Sequence, residues 1–158
     1  MKRRILLYVL LLPLIALAAL TREKRDSDND EALKEDLRHL QGKWEYTFKE
    51  GEVNAGIRKV HEIVGNKDTV TWYLMDGKIF AVNVVDFKLE KRRPWWTSNW
   101  EGAEQVFIWS NGKVTEGEYK GKPFADGSCV YKLEGDEWTE FLPNDLGKVV
   151  WKRVKEKK

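Results

Sequence analysis

The sequence contains only one cysteine, Cys129, so no disulfide can form within the chain. The fold must therefore depend on packing alone. Histidine is nearly as scarce, because the chain has two, His39 and His61, and both are distant from the cysteine in sequence. This scarcity argues against a structural metal site. Cys129 lies in the alternating run SCVYKL beside apolar neighbours, and we expect a buried structural thiol there.

The sequence also lacks the short motifs that mark common catalytic sites. It has no G-x-S-x-G nucleophile turn and no glycine-rich phosphate loop. His61 and Glu62 resemble the start of a zinc-protease helix, but Gly65 occupies the position of the second histidine ligand. We therefore expect no enzyme activity, cofactor or metal. An acid pair of the glycosidase type is the alternative to ordinary surface acids. The carboxylates in or beside strands are Asp86, Glu101, Glu104, Glu116, Glu118 and Glu140.

The N-terminus has the pattern of a secretory signal peptide. Three basic residues precede an apolar run that extends to Leu20 and is broken only by Pro13, and Ala16-Leu17-Ala18 offers small residues for cleavage. The run is shorter than the roughly 20 residues that a membrane-spanning helix needs. We predict a signal peptide over residues 1–18 and export to the periplasm or the extracellular space. An uncleaved anchor is the alternative, and it is the only membrane association that we expect.

The rest of the chain predicts a linker followed by one domain. Removal of residues 1–18 takes away three basic side chains and changes the formal net charge from +2 to −1. A nearly neutral protein lacks the basic surface that binds nucleic acid, so we expect no such partner. The run TREKRDSDNDE has no apolar residue, which predicts a mobile linker over residues 19–30. Residues 31–158 suit a single domain, which we expect to be a monomer.

A short helix and a first strand are predicted next. Three leucines recur at helical spacing at positions 33, 37 and 40, and Gly42 follows where a helix cap is expected. The spacing predicts an amphipathic helix from Asp30 to Gln41. Beyond Gly42, aromatic residues alternate with polar ones in KWEYTFKE, which is typical of a half-buried strand.

The remaining sequence predicts an antiparallel meander. Turn signals of suitable chemistry, MDGK, SNGK and EGDE, separate alternating runs. A flat sheet of this length would leave open edges, so the meander should close into a barrel or fold into a sandwich. The interval from Glu90 to Ala103 predicts a long loop or an irregular strand. The expected strands lie near Arg58–Val64, Thr69–Met75, Lys78–Leu89, Glu104–Ser110, Lys113–Tyr119, Ser128–Leu133, Glu137–Leu142 and Lys148–Lys155.

The segment LQGKWE resembles the start of a lipocalin-type barrel, in which a short helix leads into a Gly-x-Trp element. Gly42 and Trp44 fill that element here. A longer resemblance is to a planctomycete family of small exported domains of unknown function. That family is similar in running from a helix like EALKEDLRHLQGKW to a hairpin like VYKLEGDEW and a final basic strand like VVWKRV. The resemblance covers most of the chain after Asp30.

The resemblance implies an all-β fold, an antiparallel up-and-down lipocalin-like barrel of about eight or nine strands with a short N-terminal helix. In such barrels the Gly-x-Trp tryptophan packs at the closed end against a basic side chain from a late strand. Here the resemblance implies a contact between Trp44 and Arg153. It implies no catalytic residue, and the segment PWWTSNW is not part of the family pattern.

The eight tryptophans divide into two groups. Trp95, Trp96 and Trp100 lie in RRPWWTSNW, where Pro94 favours a loop or an edge strand. Trp95 and Trp96 face opposite sides of an extended backbone, so we expect one of them to pack and the other to stay partly exposed. A packed loop that closes one barrel end is the alternative. The five in alternating strands are interpreted as core or barrel lining, and these are Trp44, Trp72, Trp109, Trp138 and Trp151.

These patterns predict an exported, non-enzymatic, lipocalin-like domain that binds a small apolar or amphipathic ligand in the barrel. The alternative is a glycan- or protein-binding surface that uses Trp95, Trp96 and Trp100. Another outcome left open is a solid barrel filled by tryptophan side chains.

Asp86 is the carboxylate that we single out as a ligand-binding candidate. It shares a strand face with Phe80, Val82 and Val84, so we expect it to point into the barrel. There it would meet a basic partner or form a polar spot in the cavity.

Overall fold

The structure is a computed structural model that describes residues 30–52, 54–92, 103, 105–142 and 147–155. The chain divides into two compact units, Met1–Glu35 and Asp36–Lys158. The second unit contains all the strands that the structure describes. The expected signal peptide and nearly all of the expected linker lie outside the described residues.

The described helix, α1, covers residues 30–40 and ends one residue before the predicted Gln41. In its first turns, Lys34 pairs with Glu31 at 2.7 Å. Leu37 and Leu40 belong to the second unit, and both pack on its core, Leu40 with no exposed surface. That burial explains why the chain keeps a helix too short to be stable by itself in water.

Nine strands follow, all paired antiparallel. Eight of them form a closed ring, because β4 also pairs with β5, and β6 is an additional short strand that pairs only with β5. The predicted all-β antiparallel barrel with a short helix is therefore confirmed. The strands are β1 (Gly42–Thr47), β2 (Arg58–Val64), β3 (Lys67–Tyr73), β4 (Ile79–Lys91), β5 (Gln105–Gly117), β6 (Pro123–Phe124), β7 (Gly127–Glu134), β8 (Glu137–Phe141) and β9 (Lys148–Arg153).

Two of the predicted turns are present. In MDGK, the Leu74 amide donates to the Lys78 carbonyl at 2.8 Å, and Gly77 adopts a φ of 83°. In EGDE, Glu134 pairs directly with Glu137, and Gly135 adopts a φ of 59°. Residues with a side chain rarely adopt positive φ, so glycine at these positions determines where the chain reverses.

The predicted SNGK turn is wrong, because β5 continues through it as one strand. Ser110 pairs with Asp86 and Lys113 pairs with Val84, so Asn111 and Gly112 together stand opposite a single residue. Asn111 takes a φ of 55°, which forms a β-bulge that bends the strand without reversing it. Gly112 is needed for close packing, since a Cβ there would lie 2.8 Å from the Cβ of Phe124 in β6.

The barrel has two different ends. At the closed end, α1 leads into β1, and the short turns β2–β3 and β7–β8 lie at the same end. At the open end, longer connections join β1 to β2 and β5 to β7, with β6 inside the second connection. Eight buried side chains form one cluster, which includes Leu40 from the helix and aromatic residues from β1, β4, β5, β7, β8 and β9.

Candidate functional site

Tryptophan side chains fill the barrel toward its closed end. Trp44, Trp138 and Trp151 have at most 1% of their surface exposed. The rings of Trp44 and Trp138 meet edge to face at 6.0 Å, and those of Trp138 and Trp151 lie 5.8 Å apart. The Trp44 indole N–H donates to the Leu40 carbonyl at 2.8 Å, which ties the last turn of the helix to the first strand. These rings fill the interior of the barrel at this level.

Arg153 covers Trp44, as the resemblance implied. Its guanidinium lies 4.1 Å from the centre of the Trp44 ring and donates to the carbonyls of Gln41, at 2.8 Å, and His39. Gly42 makes room for this arrangement, because a Cβ there would lie 3.3 Å from the Nη1 atom of Arg153. Its φ of 109° is also one that side-chain-bearing residues rarely adopt. Through these contacts the three residues join the last turn of the helix to the barrel.

A polar pair lies among these rings. His61 Nδ1 and Asp68 Oδ2 are 2.7 Å apart, and both residues are buried. The His61 ring meets the Trp151 ring at 4.4 Å and the Trp138 ring at 5.1 Å, edge to face in both cases. In the described part of the chain, His61 Nε2, Asp68 Oδ1 and both of these indole N–H groups have no hydrogen-bond partner. The pair is enclosed by aromatic rings, so we assign it a packing role.

The Cys129 thiol is held in its neutral form. Burial raises the pKa of this thiol well above its usual value, and the nearby Glu140 carboxylate raises it further through its charge and a hydrogen bond. A thiolate is the reactive form of cysteine, so this environment disfavours reaction. The sequence predicts a buried structural thiol, and in the structure Cys129 is partly buried.

A pocket of about 410 Å³, which we call the mouth pocket, opens at the other end of the barrel. The strands β3, β4 and β5 contribute Trp72, Phe80, Ala81, Asn83 and Val114, and the rest of the lining comes from the connections at the open end, which include β6. The lining is mainly apolar and contains no carboxylate. Its residues are Asn54, Trp72, Phe80, Ala81, Asn83, Val114, Tyr119, Lys122, Pro123 and Phe124.

Two polar side chains stand out in the mouth pocket. Asn83 is only 4% exposed, and its side chain lines the pocket. Lys122 lies at the rim with its ammonium 5.2 Å from the centre of the Tyr119 ring, and no described carboxylate lies within ion-pair distance of it. The Asn83 amide and the Lys122 ammonium are therefore the polar groups that the pocket offers beside its apolar walls.

A second pocket, the seam pocket, lies where β1 and β9 separate. These strands pair at only two positions, Trp44 with Arg153 and Glu45 with Lys152. The pocket measures about 670 Å³. Six of its nine lining residues are charged, three of each sign, which suits water better than an apolar ligand. The lining consists of Glu45, Tyr46, Thr47, Lys49, Glu52, Glu137, Lys148, Val150 and Lys152.

The prediction that Asp86 points into the barrel is wrong. Its carboxylate accepts from Lys67 Nζ at 2.8 Å and from Asn111 Nδ2 at 3.3 Å, and its side chain is 38% exposed. The Lys67 ammonium, followed by the Asn111 amide, lowers the pKa of this carboxyl. The buried face of β4 carries Asn83 and Phe87. A shift of one residue in a strand reverses every side chain, and the charged residues at positions 86, 88 and 90 identify the outer face.

Sequence reasoning missed the residues that shape the mouth pocket. Asn83 is a single polar residue on the inward-facing side of FAVNVVDF, and that pattern was available as a signal. Lys122 had no comparable signal, because nothing in its local sequence shows that it borders a pocket. The candidate ligand residues Trp95, Trp96 and Trp100 lie outside the residues that the structure describes.

The geometry therefore defines a closed antiparallel barrel with one apolar pocket at its open end. No protein-family model matches the chain, and neither do the curated proteins or the solved structures that were compared with it. Within the described residues, no group of three or more histidine, cysteine, aspartate or glutamate side chains is placed to hold a metal ion. The same residues include no helix with the length and apolar character needed to cross a membrane.

Proposed function

We propose that this protein is an exported, lipocalin-like barrel that binds one small amphipathic molecule in the mouth pocket. The observation that carries the proposal is a pocket with aromatic and aliphatic walls into which the sheet places one polar side chain, Asn83. Ligand sites in proteins commonly combine apolar walls with a few placed polar groups, and small barrels bind ligands at their mouths. The resemblance to exported planctomycete domains is consistent with this role.

The rim of the pocket also favours an amphipathic ligand. Large apolar side chains are exposed at the open end, in the β3–β4 hairpin and in the turn after β5, which exposes Tyr119. Exposed apolar side chains that cluster around a cavity are typical of binding surfaces. The hairpin side chains are Leu74, Met75, Ile79 and Phe80.

Titration with a fluorescent polyene fatty acid tests the proposal. Trp72 lines the pocket, so we expect saturable quenching of tryptophan fluorescence, most of which disappears in Trp72→Phe. Ala81→Phe should abolish binding, because its ring would occupy the pocket at a position that is 7% exposed. Ala81→Leu repeats this test with less risk of overpacking, which typically costs about 1–3 kcal/mol.

Val64→Phe is the matched control, because Val64 is 68% exposed at the closed end, away from the mouth pocket. This variant should bind the probe as the unmodified protein does. Absence of saturable binding by the unmodified protein would overturn the proposal, and so would binding by both Ala81 variants that is as tight as that of the unmodified protein.

Export is a separate part of the proposal. Mass spectrometry of the secreted protein should give a mature chain that begins at Ala19, because Ala18 completes the small-residue cleavage site. Recovery of a chain that begins at Met1 in the membrane fraction would show an anchor instead.

A further inference from the structure

The mouth pocket carries a single kind of charge. Its lining includes one cation, Lys122, and no carboxylate, whereas the seam pocket is lined by three acids and three lysines. Lys122 has no ion-pair partner within the described residues, and its ammonium lies over the face of the Tyr119 ring. A cation at the edge of an apolar pocket favours an anion there, because the lining has no acid to neutralise it.

Asn83 and Lys122 lie close enough to contact the same ligand group. Asn83 pairs with Val114 in the sheet, and the Val114 amide donates to the Lys122 carbonyl at 3.0 Å. The three residues therefore occupy neighbouring backbone segments, each separated by roughly 5 Å. A group held over Val114 is within reach of the long Lys122 side chain on one side and the Asn83 amide on the other.

We infer that the ligand is an amphipathic acid whose carboxylate binds between Asn83 and Lys122, with its apolar body against Trp72 and Phe124. This inference rests on the proposed function and names the chemical class of its ligand. The Asn83 amide N–H and the Lys122 ammonium both donate hydrogen bonds, and a carboxylate only accepts them. The acid group stays near the rim, where the remaining solvent limits its desolvation.

The test compares decanoate, decanol and methyl decanoate by isothermal titration calorimetry with the full-length protein. These probes share one apolar chain and differ in their head group, which is charged only in decanoate. Decanoate should bind about tenfold more tightly than either neutral probe, a difference of about 1.4 kcal/mol. Added salt should weaken decanoate alone, because screening acts on the exposed lysine charge.

Two substitutions locate the acid group. Lys122→Met keeps most of the side-chain length and should weaken decanoate about tenfold while leaving decanol unchanged. Asn83→Asp is nearly isosteric and places a negative charge beside the ligand carboxylate, so decanoate binding should be lost while decanol still binds. Lys120→Met is the control, because Lys120 is exposed in the same turn and does not line the pocket.

The outcomes separate the two proposals. If none of the three probes binds, the mouth pocket is not a ligand site and the proposed function fails. If decanol and methyl decanoate bind as tightly as decanoate, and Lys122→Met changes nothing, the proposed function stands and the acid selectivity is overturned. Thermal melting of Asn83→Asp shows whether this variant is folded. If it is not, the decanoate affinity of Lys122→Met, a change at an exposed position, tests the acid selectivity.

Discussion

At the residue scale, Trp44 joins the helix, the core and the last strand. It has no exposed surface, donates to Leu40 and is covered by Arg153. We expect Trp44→Ala to reduce the free energy of unfolding by about 3–5 kcal/mol, the usual range for removal of a large buried aromatic side chain. Chemical denaturation measures the change. Trp109→Ala is the comparison, since Trp109 is only half-buried and its removal should reduce the free energy of unfolding by less. An unchanged denaturation midpoint for Trp44→Ala would contradict this role.

The contact between Tyr46 and Glu52 should depend on pH at both extremes. The Tyr46 hydroxyl donates to Glu52 Oε1 at 2.6 Å. Burial, followed by Glu52, raises the pKa of Tyr46 to about 12. The Tyr46 hydrogen bond, followed by the Lys49 amide, lowers the pKa of Glu52. The stability that the Tyr46 shift contributes is fully present below the ordinary tyrosine pKa of about 10, and it is lost as the pH rises toward 12. The stability that the Glu52 shift contributes is present above the ordinary carboxyl pKa, and it is lost as the pH falls through the lowered pKa of Glu52.

Carboxyl NMR titration checks this pH dependence. In Tyr46→Phe, the pKa of Glu52 should rise toward its ordinary value, because the largest cause of its shift is removed. Tyr119→Phe leaves this contact intact and should not change the Glu52 titration. An identical Glu52 titration curve in Tyr46→Phe and the unmodified protein would show that the hydrogen bond is not formed in solution.

At the element scale, β5 depends on glycine where it approaches β4. Gly117 has a φ of 93°, and a Cβ there would overlap the Phe80 carbonyl oxygen. Gly121 has a similar φ of 86° with nothing within 4 Å. Gly121→Ala should therefore cost only the backbone strain of about 1–2 kcal/mol. Gly117→Ala should cost about 1–3 kcal/mol more, because β5 must move away from β4. Equal denaturation midpoints for the two variants would contradict this difference.

At the scale of the whole molecule, the seam between β1 and β9 is the weakest part of the ring. It has two paired positions, compared with six between β1 and β2. Arg153 strengthens the seam from its closed end through the carbonyls of Gln41 and His39. A lysine cannot reproduce this fork, so Arg153→Lys should cost about 1–2 kcal/mol and accelerate amide exchange in β1. Lys152→Met removes only an exposed ion pair with Glu137 and should cost less than about 0.5 kcal/mol. Unchanged β1 exchange in Arg153→Lys would show that the seam does not need this residue.

Much of the architecture was predictable because its signals are local. Alternation between apolar and polar residues predicted the strands, and glycine in MDGK and EGDE predicted two turns. The failures came where several strands meet. SNGK has the composition of a turn, yet the packing of β6 on Gly112 keeps β5 continuous. Asp86 was assigned to the wrong face, because Val82 and Val84 make the outer face of β4 apolar as well, so apolar neighbours do not distinguish its two faces.

The sequence by itself determined an antiparallel meander, the helix before it and the dependence on packing without disulfides, since these follow from period, turn chemistry and composition. The choice of a barrel over a sandwich came from the resemblance. Only the tertiary structure decided which end of the barrel is filled and which end is open. Trp44, Trp138 and Trp151 are far apart in sequence, and their rings meet only when β1, β8 and β9 become neighbours. Asn83 and Lys122 likewise share a pocket because β5 lies between them. Contacts between distant segments depend on strand register, which local patterns specify only in part.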